Sequence, residues 1–316
     1  MKKVLITSHS FGRISKKPFE ILKMAGLSWK IIDPDRKPGL FEKIVADYDA
    51  LIVGLNHFAP QDMERCKKLQ IISKNGVGLD NIDLRKAHEL GITVTNVPGV
   101  NSEAVADLTF AHILNLSRGI SLSNRWLREG HWEKYVGNDV FQKTLGLIGF
   151  GGIARKVACR ARGFSMRVLT CDPFLEQIPQ EFQDTVSLCS FKTVLQNSDI
   201  VSIHIPLTEK NRNLFSKNVM LTMKKGAILV NTARGGIINE QDLLECIQSG
   251  HLRGAALDVL ESEPPRPDHP FFSMDQIVVT PHMGMSTEET IDRVGVICAQ
   301  CVADKLSGRV PNHIAV

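Results

Sequence analysis

Short apolar, β-branched runs alternate with polar amphipathic stretches along nearly the whole chain. In the first hundred residues the runs fall at 4–6, 29–32, 50–53, 71–73 and 93–97, with amphipathic segments such as 16–24 and 83–90 between them. Apolar runs of this length, separated by helical patterns, predict a βαβ series with a parallel sheet and helices on its faces. A second series begins at Thr144. Its strands are predicted at 145–150, 167–171, 200–205, 227–231, 255–259 and 277–280, six in all and enough for a doubly wound domain. Between the two series lies one long predicted helix, 102–129, with Ser102 as its N-cap and Gly130 as its stop. Its apolar residues (Val105, Leu108, Phe110, Ile113, Leu114, Leu116) occupy several faces, which implies burial against more than one surface. A last amphipathic helix, 287–306, has no strand partner left in the second series and is expected to pack back on the first.

The turn after the first strand of the second series narrows the chemistry. Residues 144–172 read TLGLIGFGGIARKVACRARGFSMRVLTCD. This is strand, glycine turn, basic amphipathic helix, strand, and then an acid, the order a dinucleotide site requires. Gly149 permits the tight turn, Gly151 lets the backbone approach a pyrophosphate, and Ala154 is the third small position. Gly152 and Ile153 open the helix, whose N-terminal N–H groups and partial positive charge suit phosphates. Asp172 can accept hydrogen bonds from both ribose hydroxyls and would repel a 2′-phosphate. The next residues, Pro173 and Phe174, supply no cation, so NAD is favoured over NADP. A bare GxGxxA also punctuates ordinary βα turns; the flanking strands and the spaced acid make it a cofactor signal.

Composition sets outer bounds. A chain of 316 residues exceeds the usual size of one core, so two domains are expected. The 38 basic and 34 acidic residues are scattered, and a net charge of +4 gives no footprint for nucleic acid. The opening MKKVLITSHS is too short for a signal peptide, and no stretch approaches the ~20 apolar residues of a membrane span. Seven dispersed cysteines, an odd number, suit reduced thiols and a cytoplasmic protein. Cys298 and Cys301 form a CxxC inside a helical pattern, which favours buried thiols over a metal site, and no metal is expected.

Catalytic side chains are sought at the carboxyl ends of the strands, where an open α/β sheet leaves its crevice. Arg234 follows a strand in NTARGG, Glu263 sits in DVLESEPP just beyond the strand that carries Asp258, and His282 follows a strand in TPHMG. Each alone has an ordinary explanation as a surface ion pair, a loop acid or one of ten histidines. Together they supply an anion clamp, a carboxylate and a base.

These blocks resemble the D-isomer-specific 2-hydroxyacid dehydrogenases. The resemblance covers nearly the whole chain: NGVGLDNIDL at 75–84, NVPGVNSEAVADLT at 96–109, the glycine segment, HIPLT at 204–208, NTARGG at 231–236, ALDVLESEP at 256–264 and TPHMGMST at 280–287. It implies an α/β protein of two doubly wound parallel-sheet domains. Residues 1–98 plus 286–316 would form a flavodoxin-like substrate domain and residues 99–285 a Rossmann NAD domain, with the active-site cleft between them. It further implies that Arg234 binds the α-carboxylate and polarises the C2 oxygen, that His282 is the acid/base, and that Glu263 orients and charges its ring. The backbone around Val77 and Gly78 would help hold the carboxylate. Asp258 would meet the nicotinamide carboxamide, and Pro206, Thr232, Ala233 and Gly284 would line the cofactor. Relatives dimerise through the nucleotide domain, and helix 102–129 with Trp126 and Trp132 near its end is expected to make a homodimer here.

Subclass and substrate follow from departures within the resemblance. Formate dehydrogenases of this family carry Gln at the acid position, whereas Glu263 is present here, so an alcohol/ketone couple is the better reading. Phosphoglycerate dehydrogenases typically carry a phosphate-binding arginine about where Gly54 stands. Lys74 and His57 would compensate in part, so the expected substrate is of the glycerate, glyoxylate/hydroxypyruvate or 3-phosphoglycerate type, with the absent arginine counting against the last. Met285 replaces a usual small residue and is expected to narrow the cofactor side. The chain ends at Val316 without a regulatory domain, so feedback by serine is not expected. The alternative is an NAD(H)-binding regulator resembling the C-terminal binding protein corepressors, against which stand the complete Arg–Glu–His set and the lack of a disordered tail.

Overall fold

The computed structural model describes residues 1–34 and 36–316. In chain order its elements are β1 (Lys3–Ile6), α1 (Lys17–Met24), β2 (Ser28–Ile31), α2 (Leu40–Ile44), β3 (Ala50–Val53), α3 (Pro60–Arg65), β4 (Ile71–Lys74), α4 (Leu84–Glu89) and β5 (Thr93–Thr95). There follow α5 (Ser102–Arg118), α6 (Ile120–Arg128), β6 (Thr144–Ile148), α7 (Gly152–Arg162), β7 (Arg167–Cys171), β8 (Val186–Leu188), α8 (Phe191–Asn197) and β9 (Ile200–Ile203). The chain closes with α9 (Lys217–Met220), β10 (Ile228–Asn231), α10 (Glu240–Gln248), β11 (Gly254–Leu257), β12 (Ile277–Val279) and α11 (Glu288–Leu306). Two units result, residues 1–101 with 285–316 and residues 102–284.

The first unit is a five-stranded sheet in the order β2-β1-β3-β4-β5, every neighbouring pair parallel. That is the flavodoxin-like order. Residues along each strand alternate between two cores. Leu5, Leu51, Val53 and Ile72 face one, while Val4, Ile6, Ile52 and Ile71 face the other. Helix α11 packs on α1 and β4 within this unit, as its lack of a partner in the second series predicted. Met285 packs against the same core.

The second unit is a seven-stranded parallel sheet, β12-β11-β10-β9-β6-β7-β8. Read from β8 inward it is the 3-2-1-4-5-6 Rossmann order with one further strand. The order reverses between β6 and β9, and that switch point is where such sheets bind ligands. Two differences from the sequence reading stand out. An additional strand, β8, pairs on the edge; only Val186 of its three residues is buried, too little for a periodic signal. The single helix expected over 102–129 is two helices, because Gly119 adopts φ 60° and a Cβ there would collide with the Tyr135 ring. The two halves differ sharply. Ten of the seventeen residues of α5 are buried, and none of α6 is.

All seven cysteines are unpaired. Burial pushes the thiols of Cys66 and Cys171 up to about 11 and that of Cys298 up to about 12, whereas Cys159 is exposed on α7. Among the described residues no helix is long and apolar enough to cross a membrane. None of their His, Cys, Asp and Glu side chains form a group of three or more able to hold a metal ion.

Candidate active site and cofactor cradle

Strand β10 ends on Asn231, whose amide closes the turn that follows. Its Oδ1 accepts the Ala233 N–H at 3.0 Å and its Nδ2 donates to Arg234 O at 2.8 Å. The Arg234 guanidinium donates to Ala233 O at 2.7 Å. At Gly235 an added Cβ would stand 1.8 Å from Leu260 O, so only glycine lets this turn lie against the exit of β11. In that exit the Leu260 N–H donates to Glu263 Oε1 at 3.0 Å, while His282 Nδ1 lies 2.6 Å from Oε2. An ionised carboxylate only accepts, so Nδ1 carries the proton and Nε2 is left for a reacting oxygen. Burial pushes the Glu263 carboxyl up, but the His282 hydrogen bond and charge, the Leu260 N–H and Arg234 together hold it below the ordinary carboxylate value.

His282 itself sits at φ 49°, a left-handed conformation that a non-glycine residue keeps only when its surroundings enforce it. Asp258 enforces it. The His282 N–H donates to Asp258 O at 2.9 Å, and the Asp258 carboxylate accepts from Thr280 Oγ1 (2.6 Å), Met283 N–H (2.9 Å) and Gly284 N–H (2.8 Å). The carboxylate is therefore largely engaged by its own loop, with about one of its four acceptor positions remaining. A Cβ at Gly284 would press on that carboxylate at 3.2 Å. The sequence marked Asp258 but gave no sign of this binding of the loop, nor of Thr280 and His112, which lie behind it. The only available signal was a histidine on the apolar face of α5, where a buried ring nitrogen needs a partner.

The glycine turn has the form a dinucleotide needs. Gly149 stands at φ 89°, and a Cβ there would come within 2.8 Å of His204 O, across the point where the strand order reverses. A Cβ at Gly151 would meet nothing within 4 Å, so the space in front of the turn is open. Among the described residues the backbone N–H groups of Gly152, Ile153 and Ala154 have no protein acceptor, and no side chain caps α7. These donors fit a pyrophosphate. Asp172 is aimed by the backbone, its Oδ2 accepting the Phe150 N–H at 2.9 Å and its Oδ1 the Phe174 N–H at 3.0 Å. Pro206 O is fixed by Asn211 Nδ2 at 2.7 Å, and Thr232 is tied to Thr109 at 2.9 Å.

In the first unit, Val77 and Gly78 follow β4. The Val77 carbonyl accepts from Asn96 Nδ2 at 2.7 Å, and among the described residues the N–H groups of Val77 and Gly78 have no protein acceptor. Beside them Lys74 is buried, its ammonium donating to Asn81 Oδ1 at 2.8 Å and to Gly54 O. A Cβ at Gly54 would lie 3.1 Å from the Ser8 Cα.

Residues 110–284 match the NAD binding domain of the D-isomer specific 2-hydroxyacid dehydrogenases. The hydroxypyruvate reductase of Thermotoga maritima is 42% identical over 261 residues, covering 80% of this chain and 83% of that protein. The D-3-phosphoglycerate dehydrogenase of Methanocaldococcus jannaschii is 37% identical over 281 residues, 88% of this chain but 53% of that protein. Among solved structures, the TT0316 protein from Thermus thermophilus superposes with a TM-score of 0.90 at 34% identity, covering 99% of this chain and 100% of that one. The chain belongs to the D-isomer specific 2-hydroxyacid dehydrogenase family, and its second unit contains the family's NAD-binding domain. It spans about half the length of the phosphoglycerate dehydrogenases it matches.

Proposed function

We propose that this protein is an NAD-dependent oxidoreductase that interconverts a small D-2-hydroxy acid and its 2-keto acid. The observation that carries the reading is the 2.6 Å His282–Glu263 pair beyond β12, with Arg234 electrostatically coupled to the same carboxylate. A nicotinamide cofactor held by the glycine turn and Asp172 would supply or accept the hydride. Arg234 offers a planar fork to the substrate carboxylate and polarises the C2 oxygen. In the first unit the N–H groups of Val77 and Gly78, without a protein acceptor among the described residues, are donors of the kind a carboxylate accepts. In ketone reduction His282 Nε2 gives a proton to the C2 oxygen, and in the reverse direction it removes it. Glu263 favours the imidazolium and keeps the ring in place.

Cofactor choice rests on Asp172, whose fixed carboxylate suits a ribose diol and repels a 2′-phosphate. For the substrate, Gly54 brings no cation and the Lys74 ammonium is directed at Gly54 O and Asn81, which favours an unphosphorylated acid of the glyoxylate, hydroxypyruvate or glycerate type. The outward face of α6 and the segment after it expose Ile120, Leu127, Trp132, Val136 and Phe141, an apolar area suited to a second copy in a homodimer. Seven unpaired thiols support a reducing, cytoplasmic setting.

Loss of NADH absorbance on mixing with glyoxylate, hydroxypyruvate, 3-phosphohydroxypyruvate and other 2-keto acids tests the reading. Turnover of the short unphosphorylated acids is expected. Tight NADH binding with no turnover of any of them would overturn the enzymatic reading in favour of an NAD(H)-responsive regulator.

A further inference from the structure

Helix α5 lies behind both catalytic loops and turns two polar side chains toward them from an otherwise apolar face. Thr109 and His112 are three residues apart, hence neighbours on the helix surface, and both are buried. Phe110, Ile113 and Leu116 of the same helix pack in the core with Val230 of β10 and Ala256 of β11. The helix is therefore fixed relative to the strands whose exits carry Arg234 and Asp258.

The protons along these contacts can be assigned. Thr280 Oγ1 has one proton and lies 2.6 Å from Asp258 Oδ1, an oxygen that also accepts the Met283 N–H. An ionised carboxylate cannot donate, so the Thr280 proton goes to Asp258. His112 Nε2, 3.1 Å from Thr280 Oγ1, must then be the donor. Burial lowers the His112 pKa despite the nearby Asp258 charge, which keeps the ring neutral with its proton on Nε2. Likewise Thr109 Oγ1 donates to Val105 O at 2.8 Å, so Thr232 Oγ1 donates to Thr109 at 2.9 Å. Thr232 stands two residues before Arg234. A leucine at 112 would fill this apolar face without any polar atom to satisfy, so the histidine is explained by what its N–H holds.

We infer that His112 is a positioning residue for His282. It donates to Thr280, Thr280 donates to Asp258, and Asp258 holds the backbone of 282–284 in the left-handed turn that presents the imidazole to Glu263. The role in catalysis rests on the dehydrogenase reading above; the role in positioning does not. The Thr109–Thr232 bond does the same for the turn that carries Arg234.

The test uses the full chain with glyoxylate and NADH, and compares His112→Leu, His112→Gln and Thr280→Val. The glutamine amide reaches as far as Nε2 and can donate. His112→Leu and Thr280→Val are expected to lower kcat about tenfold, while the glyoxylate KM and the NADH Kd stay within about twofold; His112→Gln should recover to within about threefold of wild type. The low-field proton resonance of the His282–Glu263 hydrogen bond should persist in wild type and His112→Gln and broaden in His112→Leu and Thr280→Val. A folded His112→Leu protein with wild-type kcat and an unchanged resonance overturns the inference. So does a glutamine variant no better than leucine, or a loss of NADH affinity in step with kcat. Thr280→Val decides the matter where His112→Leu does not fold. A wild-type protein without turnover would end the dehydrogenase reading, and the resonance would still decide whether His112 positions the loop.

Discussion

The two sheets of this chain share one architecture, parallel strands with helices on both faces, yet their carboxyl ends differ in chemistry. The exits of the five-stranded sheet offer hydroxyls, amides and backbone N–H groups, as at Asn75, whose Nδ2 donates to Ser8 at 2.7 Å and Ser10 at 2.9 Å. Lys74, the one buried cation among its described residues, donates to its neighbours Gly54 and Asn81. The exits of the seven-stranded sheet carry Asp172, Arg234, Glu263 and His282, each aimed by a local hydrogen bond or turn. The residues of the proposed relay thus stand in the second unit, while the exits of the first add these amides and hydroxyls to a His9–Asp33 ion pair. Mutations in the second should therefore alter rate, and mutations in the first should alter affinity and stability.

The largest expected effect tests the second unit. His282→Ala should lower kcat by roughly 10²–10⁴-fold with NADH affinity nearly unchanged. Equal losses in melting temperature and rate would instead make His282 a structural residue. Arg234→Ala should raise KM and lower kcat together, since in the proposed mechanism one side chain serves as both clamp and polarising cation. Glu263→Gln should cost less, about tenfold. The same substitution has a stability signature. Because the folded-state Glu263 pKa is depressed, its pairing stabilises fully above the unfolded value of ~4.3 and is lost as pH falls through the folded value. Glu263→Gln should flatten that acid limb in thermal melts.

Next in size is cofactor choice. Asp172→Ser should raise the ratio of NADPH to NADH kcat/KM by about 10–100-fold, mostly by losing NADH. Equal use of both cofactors by the wild type would break the assignment. In the first unit Asn75→Ala should raise the keto-acid KM a few-fold, leave kcat within about twofold, and cost about 1–2 kcal/mol in stability, because the Ser8 and Ser10 hydroxyls lose their buried amide donor. A fall in kcat comparable to that of His282→Ala would erase the division between the units. The smallest effect on chemistry is expected from Leu127→Glu with Trp132→Glu. By light scattering the particle mass should drop from twice 35.0 kDa to 35.0 kDa, with kcat nearly retained.

Legibility in the sequence followed the density of local signals. Most of the parallel strands are near-continuous apolar runs, and even β2, with no buried residue, carries Trp29 and Ile31, so eleven of the twelve were evident; β8 is a three-residue edge strand, Val-Ser-Leu, too short to show a period. The break at Gly119 escaped because a lone glycine is tolerated inside many helices. What decides the matter is Tyr135, sixteen residues on, packing where a Cβ would be. Asp172, Arg234, Glu263 and His282 were visible because each stands just past a strand end in a distinctive block. The Thr280–Asp258–His112 connection was not. It joins three segments through side-chain hydrogen bonds, and nothing in spacing along a chain encodes that a helix will bring residue 112 behind residue 280.

Thiol burial gives the molecule a practical handle. The nucleophile toward alkylating reagents is the thiolate, and burial keeps Cys66, Cys171 and Cys298 almost wholly protonated at neutral pH. Cys159 is exposed, seven residues into the helix that opens at Gly152 and so about 10 Å along its axis from the phosphate cradle. A maleimide fluorophore is expected to attach there first. It would sit on the same rigid rod as the dinucleotide turn without occupying it, close enough to register a ligand's arrival by a change in emission.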